Sequence, residues 1–413
     1  MTFDFETNQE TKHMKKIMLF LFLLGAINIY SQKFNNLALT PPMGWNSWNK
    51  IGCNVDEKTI RDIADAMVSS GMKDCGYRYI VIDDCWHDSI RDAQGFIRAN
   101  PARFPSGIKA LADYVHSKGL KFGIYSDAGN HTCGGKLGSR GHEYQDALTY
   151  ARWGVDYLKY DWCQCDDLNA KGAYTTIRDA LYSAGRPIVL SICEWGNNKP
   201  WEWAAGIGHL WRTTGDIFNC FDCQKKYGTW SAWGVLKIID MQEQYRKYAG
   251  PDHWNDPDML EVGNGMPANE DRAHFSIWCM SAAPLISGND LSRMSKETLE
   301  ILTNKEVIAI DQDSLGIQGF RQSKIDSIEV WYKPLKNGDW ALCFLNRGSK
   351  PVNLEYDWKK QVIKDDVAKL ELKYDLKPYT IRDLWAKKVI GSTDKVLKTY
   401  LPSHDVLMVR LLK

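Results

Sequence analysis

The sequence predicts a (β/α)8 TIM barrel followed by a small C-terminal antiparallel β-sandwich, and three observations carry that prediction. Between residues 43 and 287, short apolar runs alternate eight times with segments of helical periodicity, the pattern of a parallel sheet with helical crossovers. Eight units over roughly 250 residues fit a closed barrel better than an open sheet. Six acids, Asp83, Asp127, Asp161, Glu194, Asp216 and Asp258, stand at or just beyond the ends of successive runs. In a barrel those ends share one rim, where active sites form. One acid there is commonly a helix cap; six in succession are not explained by capping.

The elements follow in order. Pro41 and Pro42 stop any helix ahead of a first strand at 43–45. Residues 55–70 carry Ile60, Ile63, Ala64, Met67 and Val68 at helical spacing and end before Gly71. Strands are expected at 79–82, 121–126, 157–161, 188–192, 210–214, 253–255 and 284–287, with helices at 108–117, 144–153, 174–184, 235–248 and 272–280. From about Gln318 the pattern becomes short β-type runs, 328–332, 340–345 and 406–410, with turn signals such as Lys336-Asn337-Gly338 between them. The expected division is an N-terminal extension with a secretory signal at 1–31, a barrel at 37–317 and a sandwich at 318–413.

Composition narrows the function. The chain has 413 residues and a formal net charge of +1, which gives no electrostatic case for nucleic acid or an acidic membrane surface. Its 17 Trp and 19 Tyr exceed what a core alone requires and are compatible with stacking on sugar rings. Lys15 and Lys16 precede an apolar run, 17–29, and then Tyr30-Ser31-Gln32. That reads as a signal for export to the periplasm or beyond, with Met1 or Met14 as the start and no stable membrane anchor. Export permits disulfides, and the 11 Cys leave at least one unpaired. Cys220-Phe221-Asp222-Cys223 stands alone and reads as a local disulfide or free thiols rather than a metal site.

The chemistry is expected around Asp161. Lys159 and Asp161 share one face of their strand, so the ammonium is expected to lower the carboxylate's pKa and keep it ionised as a nucleophile. Asp216 lies 55 residues on, about two βα units, so the two carboxylates are expected to face each other across the barrel mouth. A pair so placed is what glycosidic cleavage requires: one attacks the anomeric carbon, and the other, its pKa raised by burial and nearby negative charge, protonates the leaving oxygen. Lys159 and Arg212 are donors for sugar hydroxyls, and Trp48 is a cover for a ring's apolar face. Trp195, Trp201 and Trp203 are open between sugar contact and loop packing. Cys133 and Cys163 each follow a rim loop, where a disulfide or core thiols both fit.

Six motifs add a family. Pro42-Met43-Gly44-Trp45-Asn46-Ser47-Trp48, Ile82-Asp83-Asp84-Cys85-Trp86 and Phe122-Gly123-Ile124-Tyr125-Ser126-Asp127-Ala128-Gly129 are followed by Tyr157-Leu158-Lys159-Tyr160-Asp161, Cys193-Glu194-Trp195-Gly196 and Trp254-Asn255-Asp256-Pro257-Asp258-Met259. In this order they resemble the α-galactosidases (melibiases) of glycoside hydrolase family 27, over about 39–318 and including the sandwich. The resemblance implies a retaining exo-α-galactosidase with a carbohydrate partner, no cofactor and no metal. It implies Asp161 as nucleophile and Asp216 as acid/base. It also implies a galactose pocket lined by Trp48, Asp83, Asp84, Tyr125, Lys159, Glu194, Arg212 and Asp258, and disulfides Cys53–Cys85 and Cys133–Cys163. One departure is visible: animal members pair the Cys before the Glu with another just upstream of the Arg, whereas 206–210 here holds no Cys opposite Cys193. Members acting on N-acetylgalactosamine have small residues where Glu194 and Trp195 stand, and arabinopyranosidase-type members replace one acid of Asp83-Asp84 by Glu. Both comparisons favour α-galactose over α-N-acetylgalactosaminidase or β-L-arabinopyranosidase activity. The remaining alternative is a catalytically inactive secreted sugar-binding protein.

Overall fold

The computed structural model describes residues 33–374 and 377–413. The proposed export signal lies outside the described residues. No helix among the described residues is long and apolar enough to cross a membrane.

Eight parallel strands run in sequence order: Met43–Asn46, Tyr79–Val81, Lys121–Asp127, Tyr157–Asp161, Val189–Cys193, Leu210–Arg212, Trp254–Asp256 and Leu285–Ser287. The eighth pairs with the first, and a parallel bridge from Leu260 to Ser287 joins the chain just after the seventh strand to the eighth. The sheet thereby curls round on itself, as a barrel requires. Gly44 is needed where the first two strands meet, because a Cβ there would stand 2.4 Å from the Tyr79 carbonyl oxygen.

Helices pack outside the strands through the apolar faces the periodicity indicates. Glu57–Ser69 buries Ile60, Ile63, Ala64 and Met67, and starts where the Asp56 carboxylate accepts the Thr59 N–H at 2.7 Å. Ala170–Ser183 begins four residues before the expected 174, because Asn169 caps it on the Gly172 N–H. The segment expected as one helix at 235–248 is α-helical over Val235–Gln242 and tightens to a 3-10 helix over Glu243–Tyr248. There the Tyr245 carbonyl is taken by the Asn255 side chain at 2.8 Å. Helices Lys296–Leu302 and Lys305–Asp311, and a hairpin of Gln224–Tyr227 with Trp230–Trp233, have no counterpart in the sequence expectation.

The C-terminal part contains a six-stranded antiparallel sheet: Phe320–Ile325, Ile328–Pro334, Trp340–Asn346, Val406–Leu412, Thr380–Asp383 and Lys388–Ser392. Two smaller two-stranded sheets complete it around an aromatic core in which the Tyr332 hydroxyl meets those of Tyr356 and Tyr374. It is fastened to the helix before the eighth strand, Ala268–Met280. Lys333 donates from a buried position to the Cys279 carbonyl at 3.0 Å, and Arg272 makes a two-point contact with Asp405. Trp331, Cys343 and Met408 join the barrel's own apolar core.

Candidate active site

Strand register assembles the site. Tyr125 stands opposite Lys159, and Lys159 opposite Ser191; one layer higher, Asp127 stands opposite Asp161, and Asp161 opposite Cys193. Two-residue alternation points both layers the same way, and Arg212 closes the sixth strand opposite Asp256. These strand ends and the loops after them surround one recess lined by Trp48, Asp83, Asp84, Tyr125, Lys159, Asp161, Arg212, Asp216 and Asp258, together with Asn49, Cys133, Trp195 and Met259. Nine of the ten residues expected at the site are therefore brought together.

Glu194 is the exception. It sits one position beyond the strand end, where alternation turns the side chain away from the layer that holds Asp161 and Cys193. Its carboxylate accepts the Gly196 N–H at 3.0 Å, the Asn198 N–H at 2.5 Å and the Asn198 side chain at 2.9 Å, and it is fully buried. Glu194 organises its own loop and does not line the recess. Trp195, with a left-handed φ of 57°, takes the wall position instead. Trp201 stacks on Tyr245, and Trp203 donates to the Asn198 carbonyl, so both pack the loop.

Charge is distributed in two clusters. Lys159 donates to Asp83 at 2.8 Å, and the same Asp83 oxygen accepts from Asn46 at 2.7 Å. Arg212 contacts Asp258 at 2.9 Å and Asp216 at 3.2 Å, and also donates to the Thr214 carbonyl. Asp84 is anchored by the Gly134 N–H at 2.6 Å. Asp161 accepts the Trp162 N–H at 2.9 Å with one oxygen; among the described residues the other oxygen accepts nothing. That leaves a lone pair for attack.

Two expectations about this pair change. Burial, the dominant effect, raises the Asp161 pKa; Lys159 opposes it, while Asp216 and Asp83 reinforce it, and the net direction is upward. Lys159 thus limits the rise and does not bring the carboxyl below its usual range. Lys159 itself is held protonated: burial pulls its pKa down, but the carboxylates of Asp83 and Asp161 help carry it well above the ordinary value. Asp216, expected to be buried, has a side chain 37% exposed beside Arg212.

Disulfides brace the recess. Cys53–Cys85 joins the loops after the first and second strands, and Cys133–Cys163 those after the third and fourth. Cys220 and Cys223 are also bonded, whereas Cys193 is a buried free thiol 3.8 Å from Arg212. Asp127 comes close to the Cys133 and Cys163 sulfurs, but their covalent bond leaves no thiolate for a metal. Asp127 instead accepts the N–H groups of Gly129 and Cys163, tying together the two loops that flank Asp161. Asp258 and Cys85 share with Trp195 a positive φ, 86° and 75°.

The comparisons with known proteins point to one family. The family model described as Alpha galactosidase A matches residues 40–313, and the model of the alpha galactosidase C-terminal beta sandwich domain matches 326–411. The Alpha-galactosidase A of Cellvibrio japonicus is 58% identical over 94% of this chain and 96% of its own. The crystal structure of alpha-galactosidase I from Mortierella vinacea is 38% identical with a TM-score of 0.84, covering 92% of this chain and 98% of that one. That of the Saccharomyces cerevisiae enzyme with raffinose is 31% identical with a TM-score of 0.85, covering 92% and 99%. Matches to both barrel and sandwich, with relatives at these identities along nearly the whole chain, show that this chain belongs to the melibiase family of α-galactosidases.

Proposed function

We propose that the chain is a retaining exo-α-galactosidase that releases terminal α-D-galactosyl residues from oligosaccharides, galactomannans or glycoconjugates. The observation that carries this reading is one recess with Asp161 and Asp216 in its wall, two ion-paired cations beside them, and a tryptophan, Trp48, at its edge. An Asp161 oxygen attacks the anomeric carbon from the β face while Asp216 delivers its proton to the glycosidic oxygen, and the bond between carbon and oxygen breaks. A covalent β-galactosyl ester on Asp161 results. Asp216, now a carboxylate, takes a proton from water, which attacks the same carbon and returns the α anomer with both aspartates restored. Asp83, Asp84 and Asp258 accept from sugar hydroxyls, and Lys159 and Arg212 donate to them. Trp195 closes the wall that Glu194 was expected to supply.

The reading also keeps residues 1–31 as an export signal, 37–317 as the catalytic barrel and 318–413 as a supporting sandwich. It is tested by comparing nitrophenyl α-galactoside, α-N-acetylgalactosaminide and β-L-arabinopyranoside as substrates, with the first-formed anomer followed by NMR. Preference for the α-galactoside with initial release of α-galactose supports it; a different preferred sugar, or initial release of the β anomer, overturns it.

A second expectation concerns pH. Because burial raises the Asp161 pKa and Lys159 restrains the rise, Lys159→Met should move the acid limb of kcat/KM to higher pH, since less of the nucleophile is ionised at any given pH. A limb that stays in place would show that Asp161 does not govern it.

A further inference from the structure

Asn46 touches two parts of the sugar site at once. It ends the first strand opposite Val81, is 3% exposed, and lines a small cavity together with Lys159, Arg212 and Asp258. Its side-chain carbonyl accepts the Trp48 N–H at 2.8 Å, and its amino group donates to Asp83 Oδ2 at 2.7 Å. Both neighbours require the same orientation of the amide, since an N–H needs the carbonyl and a carboxylate needs the NH2. One planar amide thus links the tryptophan at the edge of the recess to a carboxylate in its wall. Ser47 strengthens the joint: its hydroxyl accepts the Asp83 N–H at 2.9 Å, and its own N–H donates to the Val81 carbonyl at 3.2 Å.

The amide also decides how the two Asp83 oxygens are occupied. A carboxylate offers about four acceptor positions, two on each oxygen. Oδ2 takes both Asn46 and Lys159, at 2.7 and 2.8 Å. Among the described residues, Oδ1 takes only the Asp84 N–H, at 2.9 Å. The position left open is therefore on Oδ1. On neighbouring Asp84 both oxygens take main-chain N–H groups, those of Cys85 and Gly134. Asp83 Oδ2 is aimed by side chains instead, and a substitution can release it.

We propose that Asn46 is a positioning residue of the sugar site. By filling Oδ2 together with Lys159, it leaves Oδ1 as the single acceptor for one sugar hydroxyl. By holding the Trp48 main chain, it keeps that oxygen in register with the ring that covers the sugar's apolar face. This role deepens the galactosidase reading above and rests on it. Without Asn46, Oδ2 has an open position of its own, so either oxygen can meet a hydroxyl and the direction of the carboxylate no longer selects between them. A joint that served only to hold two strands together would weaken binding of every sugar alike.

The test uses nitrophenyl α-galactoside and four analogues, each with one sugar hydroxyl replaced by hydrogen, on wild type, Asn46→Leu and Asn46→Asp. Thermal melts check that the variants fold. Asn46→Leu removes both contacts, whereas Asn46→Asp keeps an acceptor for the Trp48 N–H and removes the donor to Asp83. In wild type, loss of the hydroxyl that Asp83 accepts should lower kcat/KM about tenfold to a hundredfold, as for a hydrogen bond to a charged group. In both variants kcat/KM on the full sugar should fall about tenfold, and the penalty for that one hydroxyl should shrink to about threefold or less. Penalties for the other hydroxyls should stay within about twofold of wild type. Each analogue is compared with itself across variants, so its intrinsic reactivity cancels. An equal fall on all five substrates, or no fall on any, overturns the assignment. If neither variant folds, wild type crystallised with galactose decides. A hydroxyl on Asp83 Oδ1 alone supports the assignment, and one on the oxygen shared by Asn46 and Lys159 overturns it. Failure of wild type to cleave nitrophenyl α-galactoside overturns the galactosidase reading itself.

Discussion

Asp161→Ala abolishes turnover, with kcat expected to fall about 10^4-fold or more, because no other group in the recess is placed to form the covalent ester. The variant folds, since the strand that carries Asp161 is held by its register to both neighbours. Added azide enters from the β face in place of the carboxylate, and the expected product is β-galactosyl azide. Asp161→Asn should in addition be more stable than wild type at neutral pH, on the order of 1 kcal/mol. The sign follows from the raised pKa. A buried carboxyl harder to ionise in the folded chain than in the unfolded one weakens the fold wherever it is ionised. That penalty is absent in strong acid, grows as pH rises from the ordinary carboxylate range through the raised value, and is complete above it. Thermal melts of both proteins at acidic and neutral pH check this. A stability gain that persists unchanged in acid would assign it to another cause.

Asp216→Ala separates the second role from the first. Loss of the proton donor should slow oligosaccharide cleavage about 10^2- to 10^4-fold. It should slow cleavage of dinitrophenyl α-galactoside far less at the first step, since that leaving group departs without a proton. The galactosyl ester on Asp161 then accumulates, and azide, entering the space left on the α face, gives α-galactosyl azide. Product stereochemistry in the two variants thus assigns the roles independently of rate. The same β azide from both would refute the pairing of Asp161 as nucleophile with Asp216 as acid/base.

Much of this architecture was legible in the chain itself. Eight apolar runs separated by helical periods determined a barrel, because parallel strands buried on both faces need continuous apolar sequence and helical returns. The acids at their ends determined which rim carries the chemistry. Residues 224–233 were not legible as a hairpin: a ribbon exposed along Gln224–Tyr227 that buries only Ala232 has no apolar face to impose alternation. Only Tyr227-Gly228-Thr229-Trp230, a glycine-containing turn between two aromatics, carried a signal. Helices Lys296–Leu302 and Lys305–Asp311 were similarly short, marked mainly by their caps Ser295 and Asn304.

What the sequence alone determined is the fold, the rim and most of the residues that line the recess. What only the tertiary structure decided is where each side chain points and how its charge is balanced. Glu194 left the recess for its own loop because it stands one step past the strand end. Lys159, two residues from Asp161 in sequence, bonded Asp83, 76 residues away. Arg212 joined Asp216 to Asp258 across two strand ends. Burial outweighed the lysine in setting the direction of the Asp161 pKa. Sequence spacing conveys which neighbours share a strand face, whereas desolvation and ion pairing depend on every element packed around a group, and those come together only when the barrel closes.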